Sequence, residues 1–398
     1  MNGVTENAPK LRFPEFSGRW VEEQLGDYFT FKNGVNADKS AYGSGRKFIN
    51  VLDIIADGPI TYEKIIGSVE LTDSEFEKNE VIYGDILFQR SSETREEVGQ
   101  SNVYLDRERS ATFGGFVIRG RAQKAIHPEF FDCLLRTSAV RSDMTARSGG
   151  STRYNVGQES LSQVKIVVPS SATEQQKIAA FLGAVDAKIG QLTRKKALLE
   201  DYKKGCMQQL FTQKLRFKDD QGNDFPDWDT TKLEDIVTIK KGTQLNRDDM
   251  IQEGAFPVIN GGVTASGYTN SFNAPGGSIT ISEGGNSCGH VAWQSRDFWL
   301  GGHCYVVSAN DQKSVLTKFL FHSLRHNQAK IMRLRVGSGL PNIQKGDLLQ
   351  LTLGIPHPDE QQKIADFLSA IDAKISLVAD ELSAAQTFKK GLLQQMFV

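Results

Sequence analysis

The chain has 398 residues, 39% of them hydrophobic and 24% charged, which suits a soluble protein of two or more domains and excludes a disordered chain. Lys and Arg total 47 against 48 Asp and Glu, a net charge of −1, which excludes a uniformly basic, free-standing DNA binder. No apolar run approaches the ~18 residues of a membrane span, and the start MNGVTENAPK lacks a signal peptide's apolar core, so a cytoplasmic protein is expected.

In chain order, an opening segment runs through Trp20, Leu25, Asp27, Lys32 and Gly34. Short apolar runs at 48–54, 80–90 and 114–120 then predict strands. Phe130, Phe131, Leu134 and Leu135 after Pro128 share one face of a predicted helix. A Gly/Ser loop at 148–154 precedes a last strand ending at Pro169. Beyond it, Ile178, Leu182, Val185, Ile189, Leu192, Leu199, Cys206 and Leu210 recur in steps of four and three, with Lys196 and Lys203 in the two remaining slots. This is a heptad seam, and no proline interrupts it. Thr173 is the residue expected to cap the helix.

The plan then repeats. Trp228, Leu233, Asp235, Lys240 and Gly242 form a second opening. Runs at 277–282 and 304–308 predict strands, with Gly-Gly pairs at 261, 276, 284 and 301 as turns. Leu316, Phe319, Leu320 and Leu324 mark a helix, the loop from Gly337 to Asn342 follows, and the last strand ends at Pro356. A second seam comprises Ile364, Leu368, Ile371, Ile375, Val378, Leu382, Ala385, Leu392 and Met396, with Lys389 in a polar slot and Asp359 as the expected cap.

The repeat is literal in places. EQQKIAAFLGAVDAKI from Glu174 returns as EQQKIADFLSAIDAKI from Glu360, 186 positions later (360 minus 174), and the same offset carries Lys203 to Lys389 and Phe211 to Phe397. Leu11-Arg12-Phe13 resembles Leu215-Arg216-Phe217, and Asn155 with Pro169 matches Asn342 with Pro356. Residues from about 35 to 150 and from about 243 to 335 show no such match. A shared frame around two different inserts suits a molecule whose two similar arms read two different things. Neither long helix, about 58 Å at 1.5 Å per residue, can bury its seam alone, so the two are expected to pair antiparallel and act as a spacer.

Chemical motifs are sparse. No Pro-Pro occurs for an adenine methyltransferase motif, and no GxxxxGK[ST] phosphate loop is present. Gly43-Ser-Gly45 is too short for a dinucleotide fingerprint, and Asp186-Ala-Lys188 with Asp372-Ala-Lys374 reads as solvated helix charge. Cys288, His290, His303 and Cys304 lack a metal-ligand spacing, and the four cysteines read as reduced structural thiols. His322 and His326 lack the zincin glutamate and read as helix surface. No catalytic residue, metal or cofactor is expected.

The duplicated EQQKIAxFLxAxDAKI helices, each closing on KKGxxQQxF, and the Trp…Leu…Asp…Lys-x-Gly openings resemble the specificity subunits of type I restriction–modification systems along essentially the whole chain. The resemblance implies an α+β chain of two β-rich mixed target recognition domains, at 1–170 and 214–357. They are separated by conserved spacer helices at 171–213 and 358–398, which form an antiparallel coiled coil with internal pseudo-two-fold symmetry. It implies double-stranded DNA with a bipartite target as ligand. Two methyltransferase subunits and two restriction subunits are the implied partners, with no membrane involved. Two other readings compete: the recognition module of a fused methyltransferase–endonuclease, and a coiled-coil scaffold that binds no DNA.

Polar loop residues are the candidates for contact with base edges or phosphates. In the first insert these are Arg46, Lys47, Gln89, Arg90, Ser91, Ser92, Arg95, Thr152, Arg153 and Tyr154; in the second they are Asn260, Asn286, Ser287, Ser338 and Asn342.

Overall fold

Both heptad stretches lie in single uninterrupted helices, Ala172–Phe211 and Pro358–Met396, in the computed structural model, which describes residues 7–337 and 339–398. The caps differ from expectation. Ser171 Oγ accepts from Glu174 N at 3.3 Å, ahead of Thr173. At the second helix His357 Nδ1 accepts from Asp359 N at 3.4 Å, and Pro358 fills the first turn, where its missing N–H costs nothing. Each seam position named above, the lysine slots included, is buried or half-buried, as a 3.5-residue repeat requires of one face.

The chain divides into two compact units, residues 1–193 with 380–398, and residues 194–379. Each unit holds one insert and a portion of both long helices. In the first unit the start of one helix packs on the end of the other, joining Ile178 and Leu182 with Leu392, Met396 and Phe397. In the second unit Met207 and Leu210 meet Ile364, Leu368 and Ile371 in the same head-to-tail sense. The helices therefore pair antiparallel within each unit. Two of the three seam lysines have partners across it: Lys203 Nζ donates to Asp372 Oδ1 at 2.6 Å, and Lys389 Nζ lies 2.6 Å from Asp186 Oδ1, whereas Lys196 pairs with Glu200 on its own helix at 3.4 Å. The two bridges are related by the 186-residue offset; the DAK aspartates, read from sequence as solvated charge, stay 40% and 45% exposed and also make these cross-helix contacts, which favour one register.

The other repeated motifs meet at the base of each helix. Glu174 is buried, and Arg12 grips it with Nε at 2.6 Å and Nη2 at 2.8 Å, while Trp20 Nε1 donates at 3.2 Å. In the second unit Arg216 holds Glu360 at 3.1 and 2.7 Å, and Trp228 Nε1 donates at 3.1 Å. The carboxylates raise the pKa of both guanidiniums by hydrogen bonding and proximity. Aromatic packing repeats as well. Trp20 meets Phe130 and Phe397, Trp228 meets Phe319 and Phe211, and Phe13–Phe181 and Phe217–Phe367 are edge-to-face at 5.8 Å.

The inserts share a topology that their sequences conceal. The first has an antiparallel four-stranded sheet ordered Phe29–Asn33, Val117–Ala122, Ile86–Gln89, Ser101–Val103. The second has Val237–Lys241, Cys304–Ala309, Ser278–Ser282, Val291–Gln294 in the same order and sense. A three-stranded sheet follows in each, Ser68–Val69, Tyr42–Ile49, Thr112–Phe113 against Gly267–Thr269, Phe256–Ile259, Trp299–Leu300, with one antiparallel and one parallel pairing. A two-stranded sheet, Val21–Gln24 with Lys165–Val168 or Asp229–Lys232 with Thr352–Ile355, connects each opening to the strand that leads into the long helix. The Lys-x-Gly glycines sit where another strand passes: a Cβ on Gly34 would lie 2.2 Å from the Gly114 carbonyl oxygen, and on Gly242 2.3 Å from that of Gly301.

Two strand expectations need correction. The run 48–54 is a strand only to Ile49. Asn50 then caps a short helix, Val51–Ile55, its side chain accepting from Leu52 N and its N–H donating to Asp53. The run 80–90 holds a turn at 82–85, closed by Asp85, before the strand Ile86–Gln89. His322 is not helix surface. It is buried, with Nε2 3.3 Å from Ser369 Oγ and no hydrogen bond to Nδ1. His326 stacks on Phe211.

Two predictions follow from this packing. Glu360→Gln is expected to cost about 3 kcal/mol, since it removes the buried counter-charge of Arg216 and leaves only the exposed Asp227, 3.7 Å away. Trp228→Phe, which removes one N–H donor from the same carboxylate and part of the ring packed on Phe211 and Phe319, is expected to cost about 2 kcal/mol. Denaturant unfolding of the two variants measures the order, and equal costs would contradict it. Burial, reinforced by Lys203 and Lys318, pushes His322 from 6.5 down to about 3. The unfolded chain therefore takes up this proton first, and the histidine's contribution to stability, complete above pH 6.5, is lost as pH falls towards 3. A His322→Gln variant should show a flatter decline of unfolding midpoint below pH 6.5 than the parent, and parallel declines would refute this.

Candidate nucleic-acid interface

Each four-stranded sheet ends in a loop that meets the Gly/Ser loop of its own unit. In the first, Val156 N donates to Arg90 O at 3.0 Å, and Tyr154–Asn155 pairs with Ser91–Ser92. In the second, Ile343 N donates to Glu283 O at 2.8 Å, Gly285 N donates to Pro341 O at 3.0 Å, and Gly284 bridges Asn342. Both Gly/Ser loops are closed by reciprocal backbone bonds, Gly149 with Asn155 at 2.9 and 2.8 Å and Val336 with Asn342 at 2.9 and 3.0 Å. Inside each, a glycine takes a positive φ, Gly150 at 121° and Gly337 at 95°, which side-chain-bearing residues rarely adopt.

The second unit assembles its candidates well. Asn260, Asn286, Ser287 and Asn342 line one open cleft of about 540 Å³, together with Gly261, Gly284, His303, Leu340 and Pro341. Asn260 Oδ1 accepts from His303 N at 3.0 Å. Below, Glu283 is held by Lys241 Nζ at 2.6 Å and Tyr305 OH at 3.0 Å. Burial and this carboxylate push the Tyr305 phenol up, so it remains a neutral donor. Ser338 lies outside the described residues. Leu340, His303 and Pro341 were absent from the sequence candidates, because nothing in a leucine or proline signals contact with a polar ligand.

The first unit divides its candidates. Arg95, Thr152 and Arg153 are exposed, Arg95 with Nε 3.2 Å from Thr145 O. Arg90, Ser91 and Tyr154 are half-buried; Arg90 donates to Gly115 O at 3.2 Å and Ser91 Oγ bonds Asn155. Gln89 and Ser92 do not belong to an open loop. Gln89 ends a strand and is buried, donating to Ser91 O at 3.0 Å, and Ser92 is buried with its hydroxyl on Glu97 at 2.8 Å. Arg46 and Lys47 lie apart on the strand Tyr42–Ile49 and are held internally, Arg46 by Asp73 at 3.0 Å and over the Phe76 ring, Lys47 by Ile65 O. Arg141, unflagged by sequence, pins the loop from beneath through Glu96 O at 2.8 Å and Val98 O at 2.7 Å.

Among the described residues no group of three or more His, Cys, Asp or Glu side chains is placed to hold a metal. The Cys288 thiol donates to Glu283 O and the Cys304 thiol to Ile281 O, and burial pushes the Cys133 and Cys304 thiols up to about 12, far from reactive thiolates. No helix among the described residues is long and apolar enough to cross a membrane. What remains is a loop pair per unit, rich in amide, hydroxyl and guanidinium groups, able to donate to and accept from base edges and phosphates.

A family model described as the type I restriction modification DNA specificity domain matches residues 18–201 and, again, 226–386. The chain belongs to that family. It is 28% identical to a putative type I specificity subunit of Mycoplasma pneumoniae over 171 residues, 43% of this chain and 45% of that one, so the match spans less than half of that relative. It is 26% identical to the putative type I restriction enzyme MjaX specificity subunit of Methanocaldococcus jannaschii over 98% of this chain and 95% of that one. Among solved structures, the S subunit of a type I restriction–modification system from M. genitalium superposes with a TM-score of 0.70, covering 98% of this chain and 99% of its own at 16% identity, a likeness of fold. Each match of the family model begins at an opening and runs into a long helix, taking in Trp20 with Glu174 and Trp228 with Glu360, while Arg12, Arg216, Lys203 and Lys389 lie outside it.

Proposed function

We propose that this chain is the DNA-sequence-specificity subunit of a type I restriction–modification complex. The domains at 1–170 and 214–357 each read one half of a bipartite target, and the paired helices at 171–213 and 358–398 set the gap between the halves. The observation that carries this reading is the contrast within the repeat. The frame and the three shared sheets agree in strand order and sense, while the loops at the equivalent edge differ in charge and side-chain chemistry. A scaffold has no use for such a difference; a reader of two unlike half-sites needs it.

The subunit itself carries out no chemistry on this reading and acts in the cytoplasm, where the DNA is. Catalysis belongs to two methyltransferase subunits and two restriction subunits that it positions. Exposed apolar side chains away from the seam, Leu198, Tyr202, Leu377 and Phe388, support a protein partner on the long helices. The near-zero net charge fits a subunit whose partners supply part of the phosphate contact.

Exchange of residues 20–155 for the matching domain of a relative tests the assignment. Methylated sites mapped in cells carrying the hybrid should show one half-site changed, with the other half and the gap intact. A change in both halves would refute one half-site per domain.

A further inference from the structure

The two Gly/Ser loops are closed in the same register, so their residues correspond by a single offset. Gly149 and Asn155 close the first loop as Val336 and Asn342 close the second, 187 positions later (342 minus 155), and Gly150 and Gly337 share the positive φ. The same offset carries Arg153 to Leu340. Both side chains are exposed and their chemistry is opposite: Arg153 is a cation and Leu340 an aliphatic group. Leu340 is 83% exposed and lines a cleft whose other side chains are, apart from Pro341, polar: Asn260, Asn286, Asn342, Ser266, Ser287 and His303. A leucine so placed contributes nothing to the core, and its exposure costs solubility, so a stability role does not account for it.

In the major groove the two side chains recognise different things. A guanidinium donates two parallel hydrogen bonds to guanine O6 and N7, whereas an aliphatic side chain has the thymine methyl as its partner. The adenine opposite that thymine offers N7 and N6, the pattern a carboxamide satisfies, and Asn260, Asn286 and Asn342 line the cleft beside Leu340. We infer that Arg153 and Leu340 are equivalent specificity-determining residues: Leu340 selects a T·A pair through the thymine methyl in the half-site of the second domain, and Arg153 selects a G·C pair in the half-site of the first. The inference rests on the function proposed above and adds the bases and the side chains.

The test uses the full chain assembled with its methyltransferase subunits, selecting from duplexes with both half-sites randomised. For the parent complex, deoxyuridine in place of the selected thymine should weaken binding about fourfold or more, the worth of one buried methyl. Leu340→Arg should move the preference at that one pair from T·A to G·C, and Arg153→Leu should abolish a G·C preference, ~tenfold or more, at one pair of the other half-site. In each variant the untouched half-site reports that the protein is folded. Unchanged preferences in both variants, or equal binding of thymine and deoxyuridine duplexes, would overturn the inference while leaving the bipartite reading in place. A parent complex that selects no two-part sequence would overturn the proposed function itself.

Discussion

Neither long helix can bury its seam alone, and the rest of the molecule is arranged around that constraint. Each seam is apolar at its ends, where Ile178 and Leu182 meet Leu392 and Met396 in one unit and Leu210 meets Ile364 and Leu368 in the other. About two turns before each C-terminal end it admits lysine, at Lys203 and Lys389. A lysine at a seam position lowers stability unless something on the facing helix receives it, and Asp372 and Asp186 do so at 2.6 Å. Polar contacts of this kind choose one register among the many that a purely apolar seam would tolerate. For the spacer role proposed above, register is the property that matters.

The buried glutamates transmit this order to the inserts. Glu174 and Glu360 start the long helices, yet their partners come from the arm residues Arg12 and Arg216 and from the opening tryptophans. A buried carboxylate must be fully hydrogen-bonded, so each clamp accepts one placement of the arm and opening relative to its helix. The two-stranded sheets that follow, Val21–Gln24 with Lys165–Val168 and Asp229–Lys232 with Thr352–Ile355, extend that placement into each domain. Loops built on such a base are free to vary without disturbing the frame.

The helices and the loops were legible because their signals are local. The seam at Ile189, Leu192, Leu199, Ile375, Val378 and Leu382 follows from periodicity alone, and the glycine-rich hairpins follow from composition. The common topology of the inserts was not legible, because strand pairing joins residues far apart and different side chains fill the same sheet. Gln89 and Ser92 looked like loop residues, yet the sheet continues through the first and Glu97 draws in the second. Asn50 turned a strand-like run into a helix through a capping box that overrides the apolar pattern. The repeat of Arg12 at Arg216 and of Trp20 at Trp228 was visible, but their convergence on one carboxylate depends on the folded helix.

The account turns on one claim: a single frame, written twice, presents two unlike reading surfaces. Single-molecule sequencing of methylated adenines in cells that carry the complete system tests it most directly. The account predicts one motif of two short, specific halves that differ from each other, separated by a gap of fixed length and free sequence. A continuous motif, two identical halves, or a gap of variable length would contradict it.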